Sequence, residues 1–156
     1  MSRRTLALTS AAVTATAVAG GIGTDVSSEW YVELEKPPWQ PPGWVFGPAW
    51  TTLYALMSVA GSRVIDRGDP VLSRGFARAF AVNLVLNAGW SWLFFTARRP
   101  RWALAEVVVL EASTLDLVRR ARRADRTAAR MLTPYAGWVG FATALTAAIA
   151  RRNPHP

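Results

Sequence analysis

Residues 30–57 read WYVELEKPPWQPPGWVFGPAWTTLYALM, and two physical regimes meet inside this stretch. Its first half is aromatic and acidic, ending in Lys36 and the pairs Pro37-Pro38 and Pro41-Pro42. Proline fixes φ and removes an amide donor, so this half is expected to be a stiff, extended cap that presses Trp and Tyr rings against something. From Pro37 onward no charge appears before Arg63. A soluble helix needs a polar face every turn, whereas a helix in hydrocarbon needs about 20 mostly apolar residues to cross roughly 30 Å. Gly47-Pro48 falls near the start of that span, where a missing amide hydrogen bond costs least. Trp and Tyr also favour a membrane interface on amphipathic grounds alone, and Pro38-Trp39-Gln40-Pro41 can be read as a ligand for proline-binding modules.

The same blankness of charge recurs outward from this stretch: between Thr5 and Thr24, between Ala79 and Ala97, and between Met131 and Ala150. A further Leu- and Val-rich stretch, Trp102 to Val118, carries Glu106, Glu111 and Asp116. The expected fold is an all-α membrane protein: one five-helix transmembrane domain over residues 1–156, with spans at 5–23, 45–65, 76–97, 101–118 and 131–150. Composition agrees. The 156 residues are 51% hydrophobic with 8 Trp, one His and no Cys, which excludes an acidic disordered tail, a disulfide scaffold and a Cys/His zinc module. The first span, behind Arg3 and Arg4, shares features with a secretory signal peptide, but its length and its Ala-rich character favour a retained helix. Ala11, Ala15, Ala19 and Gly23 form a small-residue ridge, and Ala136, Gly140, Ala144 and Ala148 a second, offering seams for close helix packing. Asn83, Asn87 and Ser91 stripe one face of the third span, and amides do not belong against lipid, so that face should point inward.

Eighteen cations against 10 acids give a net charge of +8. With the N-terminus inside, the inner loops hold Arg3, Arg4, Arg63, Arg67, Arg74, Arg78, Arg119, Arg120, Arg122, Arg123, Arg126 and Arg130, and the outer ones Lys36, Arg98, Arg99, Arg101, Arg151 and Arg152. That excess predicts N-inside, C-outside, with the Trp-rich loop on the outer face. It also accounts for the basic character without nucleic acid: the arginines anchor helix ends at lipid phosphates, and no nucleic-acid-binding motif accompanies them.

Three blocks carry a resemblance. The first is Trp30-Tyr31, Lys36-Pro37, Trp39, Pro41-Pro42, Trp44-Val45-Phe46, Trp50-Thr51, Leu53-Tyr54 and Leu56-Met57. The second is Asn83, Leu86-Asn87, Trp90, Phe94-Phe95 and Trp102-Ala103-Leu104, and the third is Pro134-Tyr135, Trp138, Phe141-Ala142 and Leu145. From about Trp30 to Arg152 the chain resembles the TspO/MBR family, the tryptophan-rich sensory proteins, translocator proteins and peripheral-type benzodiazepine receptors. The resemblance implies five transmembrane helices around a pocket opening toward the first loop, homodimers, and binding of porphyrins, sterols and synthetic isoquinoline or benzodiazepine ligands, while an N-terminal start without transit-peptide character suggests a bacterial envelope. A tetrapyrrole is a flat apolar plate with charged propionates, which wants aromatic faces, amides for orientation and cations near a rim. Trp50 and Tyr54, Asn83, Asn87, Trp90 and Phe94, and Trp138 and Ala142 are the expected ligand-binding residues, with Trp30, Tyr31 and Trp39 as a lid. Trp50 and Trp138 match their motif positions, although each is also explained as filler between helices. The sterol pattern that many relatives carry is incomplete: Thr146 stands where they have Asn, and no Tyr lies between Leu145 and Arg151.

Glu106, Glu111 and Asp116 are five apart, a rotation of about 140° each, so they share no face and do not make a proton relay. Asp116 should snorkel to the Arg119 to Arg123 cluster, and Glu106 should reach either the pocket or Arg101. Neither a cofactor nor a metal is implied, since His155 is the lone His and lies in a tail expected in water. Three functions follow: a membrane receptor or carrier for porphyrin or another hydrophobic small molecule; a light- and oxygen-dependent porphyrin-degrading enzyme in which Trp50 and Trp138 are the catalytic candidates; or a structural membrane protein that docks a partner.

Overall fold

Four of the helices begin at a residue whose side chain caps them. In the computed structural model, which describes residues 2–154, Ser2 opens α1 (Arg3–Gly23) by accepting from the Thr5 amide, and Ser28 opens the short α2 (Glu29–Glu33) by accepting from the Tyr31 amide. His155 lies outside the described residues. A 3-10 turn, Gly43–Val45, leads into α3 (Phe46–Arg67). Asp69 accepts from the Val71 and Leu72 amides at 2.8 and 2.9 Å and starts α4 (Pro70–Ser91), with Pro70 in the first turn, where proline is tolerated. The helix then widens into a π-helical turn, Trp92–Thr96. α5 (Pro100–Ala124) and α6 (Arg126–Arg152) complete the chain, and α6 runs unbroken through Pro134.

The helices exceed the apolar windows on which the sequence reading relied. Polar connections expected over residues 66–74 and 119–130 shrink to Gly68-Asp69 and to Asp125 alone. Arginine is a strong helix former, so the Arg-rich run continues α5 until Asp125 turns extended and caps α6 through the Thr127 and Ala128 amides. The proline-stiffened cap also contains α2, because Ser28 supplies a helix start just where Glu29 follows it.

The five long helices close a ring: α1 against α3, α3 against α6, α6 against α5, α5 against α4, and α4 back against α1, with α3 and α4 also touching across it. The small-residue ridges do not meet each other. α1 turns Thr9, Val13, Thr16, Gly20 and Gly23 inward, leaving Ala11 and Ala15 exposed. Gly140 of α6 instead faces α5, where a side chain on it would meet the Glu111 carboxylate. Large apolar side chains point outward, among them Leu8, Ile22, Val85, Val109 and Leu115, as expected of a surface in contact with lipid rather than water. Among the described residues, two helical stretches are long and apolar enough by composition to cross a membrane, Arg3–Gly23 and Pro70–Thr96.

Two ends can be told apart. At one, the Ser2 amide and the Thr5 hydroxyl donate to Asp66, while Arg63 and Arg67 pair with Asp125 at 2.8 and 3.1 Å. The N-terminus and the α3–α4 and α5–α6 turns, which the arginines counted as inner flank, therefore sit together. At the other end Asn153 grips the first loop, accepting from the Glu35 amide and donating to the Glu35 carbonyl, both at 3.1 Å. Asp116 pairs with Arg119 and Arg120 at 2.7 and 2.5 Å, as snorkelling requires. Glu106 reaches neither Arg101 nor the central cavity, and neither of its buried oxygens has a partner among the described residues.

A candidate ligand site inside the helix ring

α3, α4 and α6 each turn an aromatic stripe inward at the end covered by the first loop. On α3, Trp50 and Tyr54 are one helical turn apart, so their rings stack at 5.2 Å with 29° between planes. Trp138 of α6 presents its edge to Trp50 at 6.3 Å, and Phe46 and Phe141 flank Trp138 at 5.8 and 5.4 Å. On α4, Trp90 stacks on Phe94 at 5.2 Å by the same one-turn spacing. Between these groups lies a cavity of about 670 Å³, within the 300–1,000 Å³ typical of small-molecule sites.

Eight of the expected ligand-binding residues line it: Tyr31, Trp50, Tyr54, Asn87, Trp90, Phe94, Trp138 and Ala142. Three do not. Asn83 stands one turn behind Asn87, fully buried, bonded to Tyr135 and Thr114. Trp39 lies outside the wall, half exposed, with its ring edge-on to Phe141 at 6.0 Å. Trp30 packs edge-on against Phe94 at 5.8 Å but faces a different cavity. The lid thus reaches inward through Tyr31 and Gln40. Lys36 clamps it: the ammonium donates to the Tyr31, Val32 and Leu34 carbonyls at the end of α2 and sits 4.5 Å above the Tyr31 ring. Burial there holds the Lys36 ammonium below its ordinary value.

The sequence reading missed Gln40, Phe95, Phe141 and Thr146, and the contribution of α1 through Ala17, Gly20 and Gly21. Phe95 and Phe141 stood in the quoted motifs, and a signal for α1 was its glycine pair. Thr146, the departure from the sterol pattern, is buried in the cavity wall.

A polar seam runs from the cavity into the bundle. The Tyr54 hydroxyl donates to Asn87 Oδ1 at 2.8 Å, and Asn87 Nδ2 donates to the Tyr135 hydroxyl at 3.0 Å. Tyr135 donates to Asn83 Oδ1 at 3.0 Å, Asn83 Nδ2 donates to Thr114 Oγ1 at 2.9 Å, and Thr114 ends the chain on the Leu110 carbonyl at 2.8 Å. Four helices contribute, so the seam fixes which faces meet and holds Tyr54 and Asn87 at the cavity wall. Two wall groups stay unsatisfied among the described residues: Gln40 Oε1 and Trp90 Nε1 are buried without a hydrogen-bond partner.

An all-helical bundle with a lipid-facing exterior and an aromatic cavity under a proline-stiffened loop defines a class: membrane proteins of the receptor and translocator kind. The profile of the TspO/MBR family matches residues 7–152, and this chain belongs to that family. It is 35% identical over 153 residues to the tryptophan-rich protein TspO of Chlorobaculum tepidum, covering 96% of each chain. To the translocator protein of Homo sapiens it is 35% identical over 131 residues, covering 80% of this chain and 75% of the human one. To the tryptophan-rich sensory protein of Cereibacter sphaeroides it is 39% identical over 126 residues, covering 80% and 77%.

Proposed function

We propose that this protein is a multi-pass membrane receptor or carrier whose central cavity binds a porphyrin or a comparable flat, apolar ligand, in tetrapyrrole traffic or stress sensing. One observation carries the reading: Trp50 stacked on Tyr54, with Trp138 edge-on to it, forms one aromatic wall of the same cavity that Trp90 and Phe94 line from α4. Paired aromatic walls accept a flat π-system by offset stacking, and the unpartnered Gln40 Oε1 and Trp90 Nε1 offer an acceptor and a donor to its polar edge. Five spanning helices, an N-terminus inside a bacterial envelope, a C-terminus outside and a homodimer belong to the same reading. The clustering of the inner arginines at one end supports the orientation.

The test is a titration of purified protein with protoporphyrin, followed by Trp fluorescence against a denatured control. Saturable quenching is expected, with affinity falling about tenfold or more in Trp138→Ala and in Trp50→Ala. Unchanged affinity in both variants would overturn the reading.

Light- and oxygen-dependent degradation of the bound porphyrin is a second reading, favoured by the unbroken run of rings Phe46, Trp138, Trp50 and Tyr54. An indole beside an excited pigment is a ready electron donor. Illumination of the complex should then yield a new chromophore at a rate that depends on Trp50 and Trp138. Bleaching identical to that of free porphyrin in detergent would remove this reading.

A further inference from the structure

A second cavity, of about 610 Å³, opens at the loop-covered end of the bundle and shares no lining residue with the first. Its walls are Trp30, the turn from Ala97 to Trp102, and Asn153 with Pro154. Trp30 is the partition, since its indole meets Phe94, a wall residue of the central cavity. Asn153 is spent on the Glu35 backbone, so it is wall and not ligand.

The rest of the lining combines apolar groups with three cations. Arg98, Arg99 and Arg101 line this cavity, and none of them forms an ion pair among the described residues. The nearby acid Asp25 feels the Arg98 charge without pairing to it, and its carboxylate is occupied by the Ser27 amide and hydroxyl. The backbone is bent to this arrangement. Arg98 has φ 55, the one positive value at a non-glycine position among the described residues, in a region that arginine rarely occupies. The same turn delivers the N-terminus of the 25-residue α5 with no side-chain cap, so the positive end of the helix adds to the field. An apolar track leads away from the cavity. Trp102, Ala105, Val109 and Ala112 are exposed in register on one flank of α5, with Val108 and Leu115 beside them.

We propose that this cavity holds the phosphate of an anionic phospholipid, with the acyl chains lying along the exposed flank of α5. Three unpaired guanidiniums and a helix N-terminus match a phosphodiester with no compensating ammonium, and repel the choline of a zwitterionic lipid. A free phosphate would use the arginines but not the track, and Trp102 is placed at the junction of the two.

The experiment uses the full-length protein in neutral detergent, titrated with phosphatidylglycerol, and reads bound lipid by native mass spectrometry and unfolding temperature by circular dichroism. One tightly retained phosphatidylglycerol per chain and a raised unfolding temperature are expected. R98Q/R99Q/R101Q should lose at least about tenfold in affinity, while R122Q/R123Q/R126Q at the opposite end keeps it. Arg98→Gly suits the left-handed backbone, so it should raise the unfolding temperature of the lipid-free protein yet weaken lipid binding about fivefold. Equal retention of phosphatidylcholine, wild-type affinity in both R98Q/R99Q/R101Q and R98G, or equal losses in the two triple variants would each overturn the proposal. Stabilisation by inorganic phosphate alone, equal to that by the lipid, would do so as well.

Discussion

Tyr135→Phe deletes one oxygen at the centre of the polar seam, and the structure sets its cost. That hydroxyl accepts from Asn87 Nδ2 and donates to Asn83 Oδ1, both at 3.0 Å. Asn83 is fully buried, so its carbonyl oxygen would be left without a donor or water, a loss of about 1–2 kcal/mol. Asn87 lies at the cavity wall, where water can partly replace the lost acceptor, adding about 0.6–1 kcal/mol, the scale of interhelical hydrogen bonds in membranes. The expected total is about 2–3 kcal/mol. Tyr54→Phe makes the same chemical change at the end of the seam, breaks one bond, and leaves only Asn87 Oδ1 at the rehydratable wall, for about 0.6 kcal/mol. Equilibrium unfolding in mixed dodecylmaltoside and SDS micelles, followed by circular dichroism, compares the two, and the double variant measures their coupling. If Tyr54→Phe costs as much as Tyr135→Phe, or Tyr135→Phe costs less than about 0.5 kcal/mol, the seam does not hold the bundle as argued.

Other consequences follow from single contacts. Burial raises the Asp125 carboxyl, but the Thr127 and Ala128 amides and the Arg63 and Arg67 guanidiniums outweigh it and hold the group below its ordinary value. Its stabilisation is therefore complete above pH about 4 and lost as pH falls through the lower folded value, so the stabilities of wild type and Asp125→Asn should converge on acidification. At neutral pH, Asp125→Ala should cost about 1–2 kcal/mol through loss of the α6 cap, measured by the same unfolding assay. A Cβ on Gly23 would lie 2.9 Å from the Trp92 indole, which must then give up its 2.9 Å bond to the Ala19 carbonyl. Gly23→Ala is thus expected to cost about 1–3 kcal/mol, whereas Gly137→Ala, with open space around it, should gain up to about 1 kcal/mol. Asn153→Ala cuts both bonds to Glu35 and frees the first loop, so a porphyrin bound as proposed should leave a few-fold faster in stopped-flow chase experiments; an unchanged lifetime would show that this tether does not gate the cavity.

Much of this molecule was legible in the chain itself, because the signals involved are local. Charge-free stretches announced long apolar helices, and one-turn spacing put Trp50 on Tyr54 and Trp90 on Phe94 once those helices formed. The amides Asn83 and Asn87 announced an inward face, because lipid offers them no partner. Which of the two touches the cavity was not legible: they differ by one turn, and only the approach of Tyr135 from α6 decides that Asn83 is sealed behind Asn87. The same holds for Trp30 and Trp39, whose motif identity says that they pack but not against which ring. The small residues of α1 also show the limit. Their spacing offered the ridge Ala11, Ala15, Ala19 and Gly23, whereas the helix buries Thr9, Val13, Thr16 and Gly20 together with Gly23, at the end where Trp92 and Thr96 bond the carbonyls of Ala19 and Gly23. Sequence determines what each helix can bury. The ring of neighbours determines which face it does bury, because hydrogen bonds and close contacts between segments far apart in the chain are satisfied only together.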